Sequence, residues 1–369
     1  MSVFANIKKG RCVEVHALDI AYEDDPFENK VNLSKVTYRN EKGEIWVFPV
    51  VRQAEKAILD ENDHTACSSA FGSEKFYKIA TKLFLGSDSQ ALHEKRVLSF
   101  QTISGSCSLR LSAELLCQKL GCKIFYVSSP TWENHILVFK NAGFEEFRRY
   151  RYWNPITRRL DFEGMMEDLE NAPAGSVVIL QPSAHNPTGC DPTHEQWARI
   201  ADVLKSRKLF PVIDCAYQGL VTGEVEKDLW AVRYFIAKPT ALVSSYASPT
   251  PQNPTSHGAR IVAHILSSPT LMQEWKDSLK KISARVIEMR LAFRTALERC
   301  GCPGKWDHIT SQNGLTCYTG LTEQQCINLI CQYHIYILKS GRMNISCLNY
   351  SNLDYVVKCI HETVTKIPY

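Results

Sequence analysis

The chain has 369 residues, 44% of them hydrophobic and 22% charged, and a formal net charge of +4. That length suits two or three domains, or one large α/β unit with a smaller partner. The charge is too small and too evenly spread to point to nucleic acid or a membrane surface, and no apolar run approaches the roughly 18 residues of a membrane-spanning helix. Met1 to Gly10 shows neither an apolar stretch nor an Arg-rich amphipathic one, so no targeting signal is expected. The fourteen cysteines are scattered and contain no C-x-x-C, so zinc knuckles and dithiol redox sites are not expected and reduced thiols are.

Repeats and low-complexity segments are absent. Between about 97 and 247, short apolar runs alternate with helical patterns. Lys123–Val127, Ser176–Gln181, Leu209–Ile213 and Ala241–Tyr246 read as buried strands, rich in Val, Ile, Leu or Phe. Leu109–Lys119, Glu133–Asn141, Phe162–Glu170, His194–Ser206 and Glu226–Ile236 read as the helices before or between them. The alternation predicts a largely parallel sheet covered by helices on both faces. Leu271, Trp275, Leu279, Ile282, Val286, Met289, Phe293 and Leu297 then recur at three- and four-residue steps. Ser268-Pro269 supplies a start and Gly301 a stop, which predicts one helix of about 30 residues tying two domains together. From about Trp306 the pattern mixes short strands and helices, as in a smaller α+β domain.

The chemistry-bearing residues follow three of the predicted strands. They are Ser183-Ala184-His185-Asn186-Pro187-Thr188-Gly189, Asp214-Cys215-Ala216-Tyr217-Gln218-Gly219 and Ser244-Ser245-Tyr246-Ala247-Ser248. Ligands of open α/β sheets bind at the carboxyl ends of strands, so these turns should converge on one crevice. Each alone is weak evidence, since Asn-Pro-Thr-Gly is usually only a turn. No metal-ligating cluster is visible.

In this order the segments resemble the aspartate aminotransferases, pyridoxal-phosphate (PLP) enzymes of fold type I. Ser129-Pro130-Thr131-Trp132-Glu133-Asn134-His135, Tyr150-Arg151-Tyr152-Trp153, Trp306-Asp307-His308-Ile309 and His334-Ile335-Tyr336 are similar to that family too, and Ser2-Val3-Phe4-Ala5 is similar to its animal cytosolic form. The resemblance implies an α/β protein with the PLP-dependent transferase fold type I. A large, mostly parallel α/β/α sheet domain would span 44–281, and a smaller α+β domain would combine 10–43 with 282–369. It implies PLP as cofactor, dicarboxylic amino acids and 2-oxo acids as substrates, a homodimer and a cytoplasmic location, with no membrane or nucleic-acid partner. By the same resemblance, Asp214 faces the ring nitrogen with His185 behind it. Asn186 and Tyr217 donate to the ring's phenolic oxygen, and Trp132 stacks on the ring. Ser104, Gly105 and Ser106, opening the turn before the helix from Leu109, hold the phosphate together with Ser245. Arg342 clamps the substrate's α-carboxylate, beside Asn186 and Trp132.

The departures from the family carry equal weight. Ser248 stands at the position of the lysine that bears the cofactor, and Pro239 to Trp275 contains no lysine. A hydroxyl forms no imine and is a poor base near neutral pH. The family pattern resumes at Asn253-Pro254 and Gly258-Ala259-Arg260, so about forty family residues are missing after Ala247, including a strand of the large sheet. A splice form or incomplete gene model accounts for the same gap. Val36 stands where the family has a glycine, Ala66 where it has a tyrosine that reaches the partner subunit, and Thr316 at an aromatic position beside the substrate. The expectation is therefore an aminotransferase-like chain that is impaired or inactive. The alternatives are an active enzyme with noncovalent PLP and a dimeric binding protein without chemistry.

Overall fold

The computed structural model describes residues 13–35, 37–60, 69, 71–237, 243–245 and 256–368. The chain divides into two compact units, one of 46–288 with 310–315, the other of 1–45, 289–309 and 316–369.

Among the described residues, the larger unit is built on a parallel five-stranded sheet. Its strands lie in the order Glu146–Arg151, Ile124–Ser129, Val177–Leu180, Phe210–Asp214 and Val243–Ser245. The two apolar strands Val177–Leu180 and Phe210–Asp214 lie inside the sheet, where both faces are covered. Val178, Leu180 and Ile213 enter one core, with Met165, Trp197, Leu204 and Phe235 from helices on that face. Val177, Ile179 and Val212 enter the other core, with Leu109, Ala113 and Phe139. Alternate residues along one strand thus feed opposite layers, the period-two pattern of a doubly covered strand. Burying each such Val or Leu contributes about 1.5–3 kcal/mol.

Helices Glu133–Asn141, Phe162–Glu170 and His194–Ser206 have the predicted bounds. The last opens on a reciprocal capping box between Thr193 and Gln196. The helix expected from Leu109 begins earlier, at Gly105, because Ser104 caps it, and its last turn, Leu115–Lys119, widens to π geometry. The helix expected over Glu226–Ile236 is instead two, Val225–Asp228 and Trp230–Ala237. The break falls where the Asp228 carboxylate turns back to accept the amides of Gly219, Val221 and Thr222.

The long helix is Pro269–Arg299, and Leu279, Ile282, Val286, Met289, Phe293 and Leu297 along it are buried. Residues to 288 belong to the larger unit and those from 289 to the smaller. The smaller unit is α+β. Val31–Asn32 pairs in parallel with Ile335–Tyr336, and Thr316–Tyr318 pairs antiparallel with Arg342–Asn344. Helices Glu14–Asp24, Glu323–Tyr333 and Leu353–Lys366 complete it. No helix among the described residues is long and apolar enough to cross a membrane.

Candidate active site

All five sheet strands run the same way, so the turns that leave them emerge along one edge. Asp214 is the last residue of its strand and lies in register with Ser245. Its Oδ2 is 2.9 Å from Nε2 of His135, a fully buried ring in the first turn of the helix Glu133–Asn141. The other nitrogen of that ring, Nδ1, is 2.9 Å from the Thr131 hydroxyl. A carboxylate can only accept, so Nε2–H donates to Asp214, and a neutral ring then accepts from Thr131 at Nδ1. Trp132, at the helix start, meets the His135 ring edge to face at 5.4 Å.

This corrects the expected arrangement behind Asp214, because the histidine hydrogen-bonded to it is His135, not His185. Both His185 nitrogens are already occupied, Nε2 by Ser128 Oγ and Nδ1 by Thr188 Oγ1, each at 2.8 Å. The His185 ring stacks on Tyr152 at 3.9 Å, and burial pushes its pKa down to about 3, which keeps it neutral. His185 therefore organises its own turn. His135 lay in a segment already singled out, but its role needs the fold, since 79 residues separate it from Asp214.

Asn186 and Tyr217, expected to act together, are brought together, with Asn186 Nδ2 donating to the Tyr217 hydroxyl at 3.4 Å. A residue with no expected role holds Asn186 in place. The buried Gln181 accepts its N–H at Oε1 (2.7 Å) and donates to its carbonyl from Nε2 (3.3 Å). The turn after Tyr217 is pinned by Asp228, and Gly219, at φ +83°, leaves no room for a side chain, since a Cβ would lie 2.8 Å from Leu279. Burial raises the pKa of Asp228. Cys215, buried between these groups, has its thiol pushed well up, chiefly by burial.

Ser104 caps the helix Gly105–Glu114, its Oγ accepting from Cys107 N–H. Ser104 and Gly105 are exposed, and the position a Cβ of Gly105 would take has nothing within 4 Å. This helix packs against the strand Val243–Ser245. The turn thus offers backbone N–H groups and the positive end of a helix dipole to an anion. Ser245 is placed by its backbone alone. Ser248, Ala66 and Val36 lie outside the described residues.

Arg342 belongs to the smaller unit, on the strand that pairs with Thr316–Tyr318. It is buried, and Nη2 donates to the Ser34 carbonyl at 2.8 Å. Thr316 is buried on the paired strand.

A family model described as aminotransferase class I and II matches residues 28–249 and 241–360. The cytoplasmic aspartate aminotransferase of Gallus gallus is 41% identical over 408 aligned positions that cover 99% of each chain. Against the 369 residues here, that alignment leaves about forty positions without a counterpart. The cytoplasmic aspartate aminotransferase of Caenorhabditis elegans is 38% identical, covering 100% of this chain and 99% of its own. Among solved structures, the aspartate aminotransferase from Saccharomyces cerevisiae cytoplasm matches with a TM-score of 0.95 at 33% identity, covering 99% of each chain. An aromatic-amino-acid aminotransferase from Burkholderia pseudomallei, covalently bound to pyridoxal phosphate, matches with a TM-score of 0.93 at 31% identity, covering 98% of this chain and 100% of its own. The chain belongs to the class I and II aminotransferases, with their PLP-dependent fold type I architecture.

Proposed function

We propose that the Asp214 crevice binds pyridoxal phosphate and that the chain does not efficiently run the transamination of L-aspartate and 2-oxoglutarate for which its relatives are named. The observation that carries the first half is the line Asp214–His135–Thr131 at the carboxyl edge of the sheet. The donor set fits the cofactor's three polar faces. A carboxylate suits a protonated ring nitrogen, the amide and hydroxyl of Asn186 and Tyr217 suit a phenolic oxygen, and the open helix start at Ser104–Ser106 suits a phosphate. When bound, the cofactor supplies an electron sink for the pair left on a substrate's α-carbon.

The chain's own residues set what can follow. Asp214 would hold a proton at the ring nitrogen, and His135 would keep that carboxylate oriented and partly shielded from water. Arg342 would orient a carboxylate by a two-pronged contact. Moving a proton to and from the α-carbon needs a base with a pKa near the working pH, and the serine at 248 is not one. Support for the gap comes from the about forty unmatched positions and from the family model's two stretches, which meet at 241–249. A homodimer in the cytoplasm belongs to the same reading, carried by likeness to the two cytoplasmic relatives.

The test is borohydride reduction of protein incubated with PLP, followed by peptide mapping. The proposal expects cofactor that binds yet is released on denaturation, with no lysine peptide labelled. A labelled lysine peptide overturns the second half, and no saturable binding overturns the first.

A further inference from the structure

The turn that presents Asn186 is shaped by a group outside the proposed cofactor set. The Asp191 carboxylate is half-buried and accepts three N–H groups: Ala184 N at 2.8 Å, His185 N at 3.0 Å and Asn313 Nδ2 at 3.0 Å. Among the described residues no Lys or Arg pairs with it. The charged and titratable groups around it are His185, Tyr152 and Asp228. His185 is neutral, the buried Tyr152 hydroxyl donates to the Cys190 carbonyl, and Asp228 adds like charge. Ala184 adopts φ +50°, a conformation that costs an L-residue energy and that its surroundings must enforce. Gly314 braces it from the other side, where a Cβ would lie 2.4 Å from the Ala184 Cβ. Asn313 N–H also donates to the Gly189 carbonyl at 2.6 Å. Both ends of the Ala184–Gly189 turn are therefore tied to Asp191 or to the Asn313–Gly314 brace.

We propose that Asp191 is a positioning residue, a carboxylate whose hydrogen bonds hold the Ala184–Gly189 turn in the shape that presents Asn186 to the cofactor. This rests on the PLP reading above for its purpose, but not for its geometry. Burial raises the carboxyl pKa from 3.8 to about 6. Opening the turn would hydrate the carboxylate and return it toward its ordinary value. The closed turn therefore binds the proton more tightly than the open one, and opening becomes harder as pH falls from above 6 toward 4.

The experiment is hydrogen exchange of peptides spanning 183–191, corrected for intrinsic rates, between pH 5 and 8, with PLP titration of the same proteins. In the wild type, protection of the turn should be about tenfold greater at pH 5 than at pH 7.5. Asp191→Ala, which leaves three donors without an acceptor, should raise exchange of 184–189 at least tenfold at pH 7.5 and weaken PLP binding at least tenfold. Asp191→Asn, which keeps one acceptor and cannot titrate, should partly restore protection and abolish its pH dependence. Unchanged exchange in Asp191→Ala, or pH dependence that survives in Asp191→Asn, overturns the proposal. Should Asp191→Ala fail to fold, Asn313→Ala removes one donor alone and should move the midpoint of the pH-dependent protection upward, and an unmoved midpoint overturns it equally. Exchange that responds while even the wild type binds no PLP sinks the cofactor reading and leaves the clamp standing. A loosened turn with unchanged PLP affinity removes the clamp's link to the cofactor.

Discussion

Replacing His135 with leucine removes the partner of Asp214 while keeping a side chain of similar volume in a fully buried position. Two contacts go at once, the 2.9 Å bond to Asp214 Oδ2 and the 2.9 Å bond to Thr131. A hydrogen bond to a charged acceptor is worth about 1.5–3 kcal/mol, and the edge-to-face contact with Trp132 adds about 0.5–1.5 kcal/mol. The Trp132 contact exists with or without cofactor and so acts on the stability of the fold. The Asp214 bond acts on how well the carboxylate is held for a ring nitrogen, so it is the part that reaches binding. The expected loss in PLP affinity is therefore roughly 10- to 150-fold. Absorbance titration of PLP into wild type and His135→Leu, with far-UV circular dichroism to confirm folding, measures it. An affinity within threefold of wild type in a folded variant would refute the reasoning, because the Asp214–His135 pair would then not govern the crevice.

Ser248→Lys should create a lysine peptide trapped by borohydride in the presence of PLP, while turnover of L-aspartate stays far below that of the named relatives, since Val36, Ala66 and Thr316 remain. Full turnover would show that the lysine was the sole deficit. Gln181→Leu removes both contacts to the Asn186 backbone and leaves a buried N–H and carbonyl unpaired, so stability to urea should fall by about 1–3 kcal/mol per unpaired group at most. An unchanged urea midpoint would count against Gln181 holding the Asn186 backbone in place. In the smaller unit, the backbone N–H of Phe27 and then the hydroxyl of Tyr336 and the ring of His334 hold Asp25 at about 2, below its ordinary 3.8. That stabilisation is present above pH 4 and is lost as pH falls toward 2. Tyr336→Phe should raise the acid-unfolding midpoint, and an unmoved midpoint would remove Asp25 from the account.

The elements most legible in the sequence were those whose burial is complete. Val177–Leu180 and Phe210–Asp214 are apolar because both faces are covered, and the long helix shows its stripe because one face is. The strand Glu146–Arg151 was not legible, since it reads Glu-Phe-Arg-Arg-Tyr-Arg and lies at the sheet edge. There its charges meet solvent and acids, with Arg151 gripping Glu167 and Asp168. Charged edges of this kind discourage pairing with other chains, and they erase the apolar signal that marks a strand. The turns that carry Asp214, Asn186 and Tyr217 were legible by their resemblance. The partner of Asp214 was not, because the prominent Asn-Pro-Thr-Gly segment carries a histidine of its own, while the one that makes the bond sits on the helix Glu133–Asn141. Gln181 and Asp191 carried no signal at all. Their effect is on backbone groups of the neighbouring turn, which only the folded chain brings within reach.

The most direct test of the central claim is the absorbance spectrum of the purified chain titrated with PLP and then with L-aspartate. The account predicts a saturable change on adding PLP, distinct from the free cofactor, and no conversion to the pyridoxamine form when L-aspartate follows. Conversion to the pyridoxamine form on the timescale of turnover would contradict it.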